Sequence, residues 1–280
     1  MNALIKRLFS TSVSGLVLAL FVAIESAIAG PIGFSVSSEG DDHLYRIDLL
    51  TGVAADLGQV GVGDAEGLAF IGSQLYAIGT GTTSNHQLWN ITDPPGNRVG
   101  RTGISGGVDA GLDYDAKSKT LYAYEGSTSG GALYSIDSST GAATLIGQND
   151  QFADGLAIDK IGQAFVIDGI FSDSLYRLDL SDGAVSRVGS LGLTAQSYQN
   201  SYFGLSFDPS GILWGLNNLG EIYQISTATG AATHIADVTL NRTGTRLAGF
   251  EGLAVVPEPA CLALFVIGLA GLGFTQRRRS

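Results

Sequence analysis

Between residues 30 and 255, apolar and polar positions alternate in short runs separated by glycine-rich turns. A period of two, carried by Leu, Ile, Tyr and Val, predicts β-strands with one face turned inward. The runs recur. Gly-Leu pairs begin at Gly67, Gly111, Gly155, Gly204 and Gly252, in steps of 44, 44, 49 and 48 residues. A second landmark is an aromatic-bearing strand followed by a turn glycine: Leu44–Asp48 before Gly52, Leu88–Thr92 before Gly96, Leu133–Asp137 before Gly141, Leu175–Asp179 before Gly183, and Ile222–Ser226 before Gly230. These glycines fall 44, 45, 42 and 47 residues apart. Two landmarks keeping one period define a structural repeat.

Each unit reads as four short strands. In the third these are GLDYD, TLYAYE, ALYSID and AATLIG. In SIDSSTGAAT, Asp137 suits a carboxylate-capped turn and Gly141 the positive φ of a bulged hairpin. Asp208-Pro209-Ser210-Gly211 is a type I turn signal. Four strands in 42 to 49 residues match one β-propeller blade. The ends set the number of blades. After residue 30, FSVSS, HLYRID and AADLG read as strands two, three and four, with strand one missing, while Phe250–Val255 is a lone strand one. The half-blades complete one another and predict an all-β, five-bladed β-propeller with no open edge. A six-bladed ring with one degenerate blade is the alternative. The LYxID-xxTG signature resembles repeat propellers of exported bacterial proteins, a resemblance that implies fold more than activity.

The two ends of the chain fall outside this pattern. Lys6 and Arg7 precede an apolar stretch from Val13 to Ile24, and Ala27-Ile28-Ala29 is a small-x-small site. Residues 1–29 therefore read as a secretory signal peptide, with Ala27 and Ala29 marking cleavage. At the other end, Val256-Pro257-Glu258-Pro259 precedes the apolar run from Ala260 to Phe274, and Arg277, Arg278 and Arg279 follow. The prolines keep the motif extended, and the arginines resist translocation. The run's 15 residues would make a helix of roughly 22 Å, against about 30 Å of bilayer core. Such a segment suits a temporary anchor. Residues 256–280 closely resemble the PEP-CTERM sorting signal. That resemblance implies processing by an exosortase-type enzyme, transient anchoring in the membrane through the C-terminal hydrophobic helix, and delivery to the cell surface or extracellular matrix.

Charge narrows the partners. The chain has 15 basic and 26 acidic residues; setting aside Lys6, Arg7, the three terminal arginines, Glu25 and Glu258 leaves 10 and 24, a net charge of −14 for the body. Such a surface repels nucleic acid. Cys261, the single cysteine, excludes an intramolecular disulfide, so the body rests on its core alone.

In a propeller the residues just before each inner strand gather at one mouth of the axis. Here Glu66, Ala110, Asp154, Phe203 and Glu251 precede the Gly-Leu pairs, with Asp64 and Asp109 nearby. Glu66, Asp154, Glu251, Asp64 and Asp109 are thus the candidate site for a cation, with Ca²⁺ the ion suited to hard oxygen donors, or for a polar ligand. Solvated loop carboxylates are the plain alternative. A hydrolase would draw its acid and base from Glu66, Asp154 and Glu251, although the sequence patterns of such enzymes are missing. His43, His86 and His234 have no metal-ligand spacing. The expectation is a non-enzymatic surface module binding an extracellular polysaccharide, a protein or a cation. A secreted hydrolase and a purely structural envelope protein are the alternatives.

Overall fold

The computed structural model describes residues 30–80, 85–105, 109–193, 202–241 and 243–257. The signal peptide, Glu258, Pro259 and the apolar and arginine segments of the tail lie outside the described residues. The described chain opens with β1 (Ile32–Ser37), β2 (His43–Asp48) and β3 (Val53–Gln59). Four complete antiparallel sheets follow. They are β4 (Ala65–Ile71) to β7 (Asn97–Ser105) through β5 (Gln74–Gly79) and β6 (Asn85–Asn90); β8 (Asp109–Asp115), β9 (Thr120–Ser127), β10 (Gly130–Ile136) and β11 (Ala143–Asn149); β12 (Gly155–Ile158), β13 (Ala164–Asp168), β14 (Ser174–Leu178) and β15 (Val185–Ser190); and β16 (Phe203–Phe207), β17 (Leu213–Asn217), β18 (Glu221–Ile225) and β19 (Ala232–Asp237). Then come β20 (Thr239–Leu240) and β21 (Phe250–Val255).

The first sheet runs β20-β3-β2-β1-β21, so the two ends of the body share blade 1. Gly33 pairs with Val255 and Ser37 with Phe250 across this seam. Ser35 Oγ adds a hydrogen bond to the Gly252 carbonyl at 2.7 Å. The five-bladed ring closes as the half-units predict. β20, which runs parallel to β3 at the outer edge, was not legible in the repeat.

The two glycine landmarks have separate physical reasons. At the axis, a Cβ on Gly67 would lie 2.5 Å from the Ala110 carbonyl oxygen, and one on Gly111 2.5 Å from the Leu156 nitrogen. The sequence continues through Gly155 against Phe203 and Gly204 against Gly252, and closes with Gly252 against Glu66 and Leu68. Five inner strands reach van der Waals contact only because each offers a bare backbone. On the outside, the third and fourth strands lose register at Leu44/Tyr45, Leu88/Trp89, Leu133/Tyr134, Leu175/Tyr176 and Ile222/Tyr223. This bulge at the aromatic pair bends each fourth strand. Gly100, Gly147 and Gly189 on these strands then press against the Thr140-Gly141, Asp182-Gly183 and Thr229-Gly230 turns of the next blade. The xxTG signature is thus an inter-blade contact as well as a turn.

The core is five wedges, one between each pair of neighbouring blades. Tyr45, Ile47, Trp214 and Leu216 fill one, and Val36, Leu44, Leu68 and Leu75 another. The other three are built alike around Leu88 and Leu112, Leu133 and Val166, and Phe165 and Leu205. Each fully buried Leu, Ile or Phe contributes about 1.5–3 kcal/mol, which lets the ring hold without a disulfide. Trp214 is buried with its indole N–H donating to Asp208 at 2.9 Å.

Candidate functional site at the axial mouth

All five inner strands enter the ring from the same face, and their first residues meet there. Glu66, Asp109, Asp154 and Glu251 are each buried, between 2% and 6% exposed. Four of the five residues named from the sequence are therefore drawn inward rather than splayed into water. The fifth, Asp64, is at the exposed rim in a left-handed conformation (φ 61°), where its carboxylate accepts from Thr80 Oγ1 at 2.9 Å.

Each carboxyl has its own environment. Glu251 Oε2 accepts from Ser38 Oγ at 2.7 Å. Burial first, and then the charges of Glu39, Asp64 and Glu66, push it up to about 8. Asp109 accepts from its own neighbour's amide, Ala110 N, at 2.9 Å. Burial holds its pKa well above the carboxylate range, and Glu251, Glu66 and Asp154 reinforce the effect. Asp154 Oδ2 accepts from Phe203 N at 3.1 Å across the blade boundary, while Oδ1 has no hydrogen-bond partner among the described residues. Burial, then Asp168, raises it strongly. Crowded carboxyls in low dielectric cannot all ionise together, so the mouth holds protons at neutral pH.

Sequence reasoning missed two members of this mouth. His86 is fully buried and its Nε2 is 2.5 Å from Glu66 Oε2. Burial raises Glu66; burial alone would lower His86, but the hydrogen bond and charge of Glu66 outweigh it. The pair therefore acts as one proton-holding unit. Its signal was only an ordinary strand residue, and nothing in the spacing joined positions 66 and 86. Tyr202 is the other. It occupies the fourth blade-to-blade junction, and its phenol is raised by burial and by Asp109, Glu251, Glu39 and Asp154. Glu66, Asp109, Asp154, Tyr202 and Glu251 thus stand one per blade around the mouth.

The axis below this ring is closed. The space bounded by Glu66, Asp154 and the five Gly-Leu pairs is nowhere wide enough for a water molecule. No group of three His, Cys, Asp or Glu side chains among the described residues is disposed to share a metal ion. Among the described residues, the mouth is a ring of hydrogen-bonding carboxyls.

The comparisons with known proteins bear on delivery and fold. Residues 255–279 match the PEP-CTERM protein-sorting motif. The chain carries a PEP-CTERM sorting tail. That tail indicates export, transient membrane anchoring and processing by an exosortase-type system, with the cell surface or extracellular space as destination. No curated protein matches the chain in sequence. Among solved structures, a chain of a nidogen/laminin complex is similar, with a TM-score of 0.50 and 13% identity over 80% of this chain and 84% of that one. TolB from Acinetobacter baumannii gives 0.46 and 15%, covering 77% of this chain and 52% of its own. A PQQ-bound aldose sugar dehydrogenase from Streptomyces coelicolor gives 0.44 and 17%, covering 74% and 80%. At these identities the likeness concerns the propeller fold alone.

Proposed function

We propose that this exported, sorted propeller is a non-enzymatic binding module of the cell surface or extracellular matrix, and that the axial mouth is its binding face. The observation that carries the reading is Asp154 Oδ1, which has no hydrogen-bond partner among the described residues, within a ring of buried carboxyls. A buried acceptor without a partner is costly and calls for a donor from outside. Protonated Glu251 and Asp109 supply donors in return. Donors and acceptors held in one ring suit a hydroxyl-rich chain such as a polysaccharide better than a lone cation. A cation or a protein loop bearing amines would use the same acceptors.

Hydrolysis is the second reading, favoured by the separated ionisation of these carboxyls, with Glu251 as the acid. The closed axis opposes it, because the space below the ring admits no water molecule and hence no substrate bond.

Co-sedimentation of the processed protein with matrix polysaccharide from producing cells tests the proposal. Asp154→Asn combined with Glu251→Gln is expected to weaken binding at least tenfold. Unchanged binding by this variant overturns the assignment of the face. Release of reducing ends, lost in Glu251→Gln, would replace binding by hydrolysis.

A further inference from the structure

The sorting tail follows the last inner strand without a spacer, and this fixes how the ring meets the membrane. β21 begins at the carboxylate mouth with Phe250 and Glu251 and ends at the opposite face with Val255. Val256 N still donates to the Ile32 carbonyl at 2.9 Å, and Pro257 lines a cavity of about 350 Å³ at the far end of the axis. Phe70, Tyr114, Ile158 and Phe207 line the same cavity. The tail therefore leaves from the centre of the face opposite the carboxylates. Gly30, the first described residue, sits against Leu50 on that face too.

The tether is short. Only residues 256–259 separate β21 from the apolar run beginning at Ala260. Four extended residues span at most roughly 14 Å. Blade 1 is five strands wide. At about 4.8 Å between strands, its outer edge lies roughly 19 Å from β21. Laying the disc on its edge demands more chain than the tether has. Inverting it adds the length of β21, six residues or roughly 20 Å.

We infer that, while the tail is anchored, the tail-side face of the propeller is held flat against the lipid bilayer and the carboxylate mouth is presented away from it. The surface fits that neighbour. Leu50, Val53, Ile161 and Ile212, four of the exposed large apolar side chains, belong to turns or strand starts on the tail side. Lys117, Lys119 and Lys160, the three lysines between residues 30 and 255, all occupy inner hairpin turns of this face. Asp137, Asp159, Asp179 and Asp182 share it, so the tether and not net charge sets the orientation. The inference rests on anchoring of the tail and is independent of what the mouth binds.

Two exposed side chains of one blade provide the test. Ile161, 58% exposed, lies in the β12–β13 turn on the tail side, and Phe171, 64% exposed, lies between β13 and β14 on the mouth side. Single labels are placed by Ile161→Cys or Phe171→Cys in the full chain carrying Cys261→Ser. Each protein is floated with phosphatidylethanolamine–phosphatidylglycerol vesicles containing a headgroup-nitroxide lipid. Fluorescence of the label at 161 should be quenched at least threefold more than at 171. Equal quenching, or stronger quenching at 171, overturns the inference. A 20-residue Gly/Ser insertion after Val256 reaches roughly 25 Å and should abolish the asymmetry; its persistence would refute the tether as the cause. Loss of polysaccharide binding without loss of the asymmetry would sink the proposed ligand and leave the orientation standing.

Discussion

Glu251 offers the sharpest test of the mouth. In the unfolded chain its carboxyl titrates near the ordinary value of 4.5, whereas in the folded ring it titrates at about 8. Between those values the folded protein holds a proton that the unfolded chain has released. Its contribution is fully present below pH 4.5 and is lost as pH rises through 8. A gap of roughly 3.5 pH units, at 1.36 kcal/mol each, sets a ceiling of about 4–5 kcal/mol. Proton sharing with Asp109 and Glu66 brings the share of Glu251 below that ceiling. For a body of this size, 1 kcal/mol moves Tm by about 2–4 °C. Thermal unfolding of the wild type should therefore show Tm falling by at least several degrees from pH 5 to pH 8, the share of Glu251 being at most roughly 20 °C. Glu251→Gln keeps an acceptor for Ser38 and removes the titration, so its decline should be visibly shallower. A residual slope belongs to Asp113, which burial raises to about 7 while it accepts from Ile158 N and Tyr114 N, and to Asp109, Asp154 and Glu66, which burial raises as well. Asp115 and Asp208 do not intrude. Hydrogen bonds outweigh their burial and hold them below 3.8, so their contributions are lost only as pH falls below this window. A wild-type Tm that rises from pH 5 to 8, or an unchanged slope in Glu251→Gln, refutes the reasoning.

Three further outcomes are expected. Gly111→Ala drives a Cβ to 2.5 Å from the Leu156 backbone nitrogen, where nothing can yield cheaply; denaturant unfolding should show a loss of about 1–3 kcal/mol or more. Gly72→Ala, in open space, should lose less despite its positive φ, and the reverse order would contradict the axial packing. His86→Leu strips the partner from buried Glu66 and should cost about 3–5 kcal/mol, with Glu66→Leu in the same chain recovering part of it; additivity of the two losses would rule out a coupled pair. Replacing Pro257, Glu258 and Pro259 by alanine should leave the tail attached in exported protein, read by intact mass; normal processing of that variant would separate cleavage from the motif.

How much was legible follows the range of each interaction. The strands, their five repeats and the seam at blade 1 could be read from residues 30–255, because period-two burial and turn glycines are local and recur at fixed spacing. The complementary half-units even announced closure, since one strand at residues 250–255 had no sheet of its own. The gathering of Glu66, Asp154 and Glu251 at one mouth was readable too, once blade position was known. The Glu66–His86 pair was not, because it joins the first and third strands of a blade, across β5, through side chains that no repeat position marks. Nor was β20, two residues whose parallel pairing reaches across to β3 of the neighbouring blade.

The amino-acid sequence by itself determined the blade, the number of blades and the address, each written in local pattern or in a contiguous motif. Only the tertiary structure decided that the mouth carboxyls are buried and hold protons, that glycine backbones close the axis against water, and that the tail leaves opposite the mouth. Those properties come from distances between blades, and burial and charge act through space rather than along the chain.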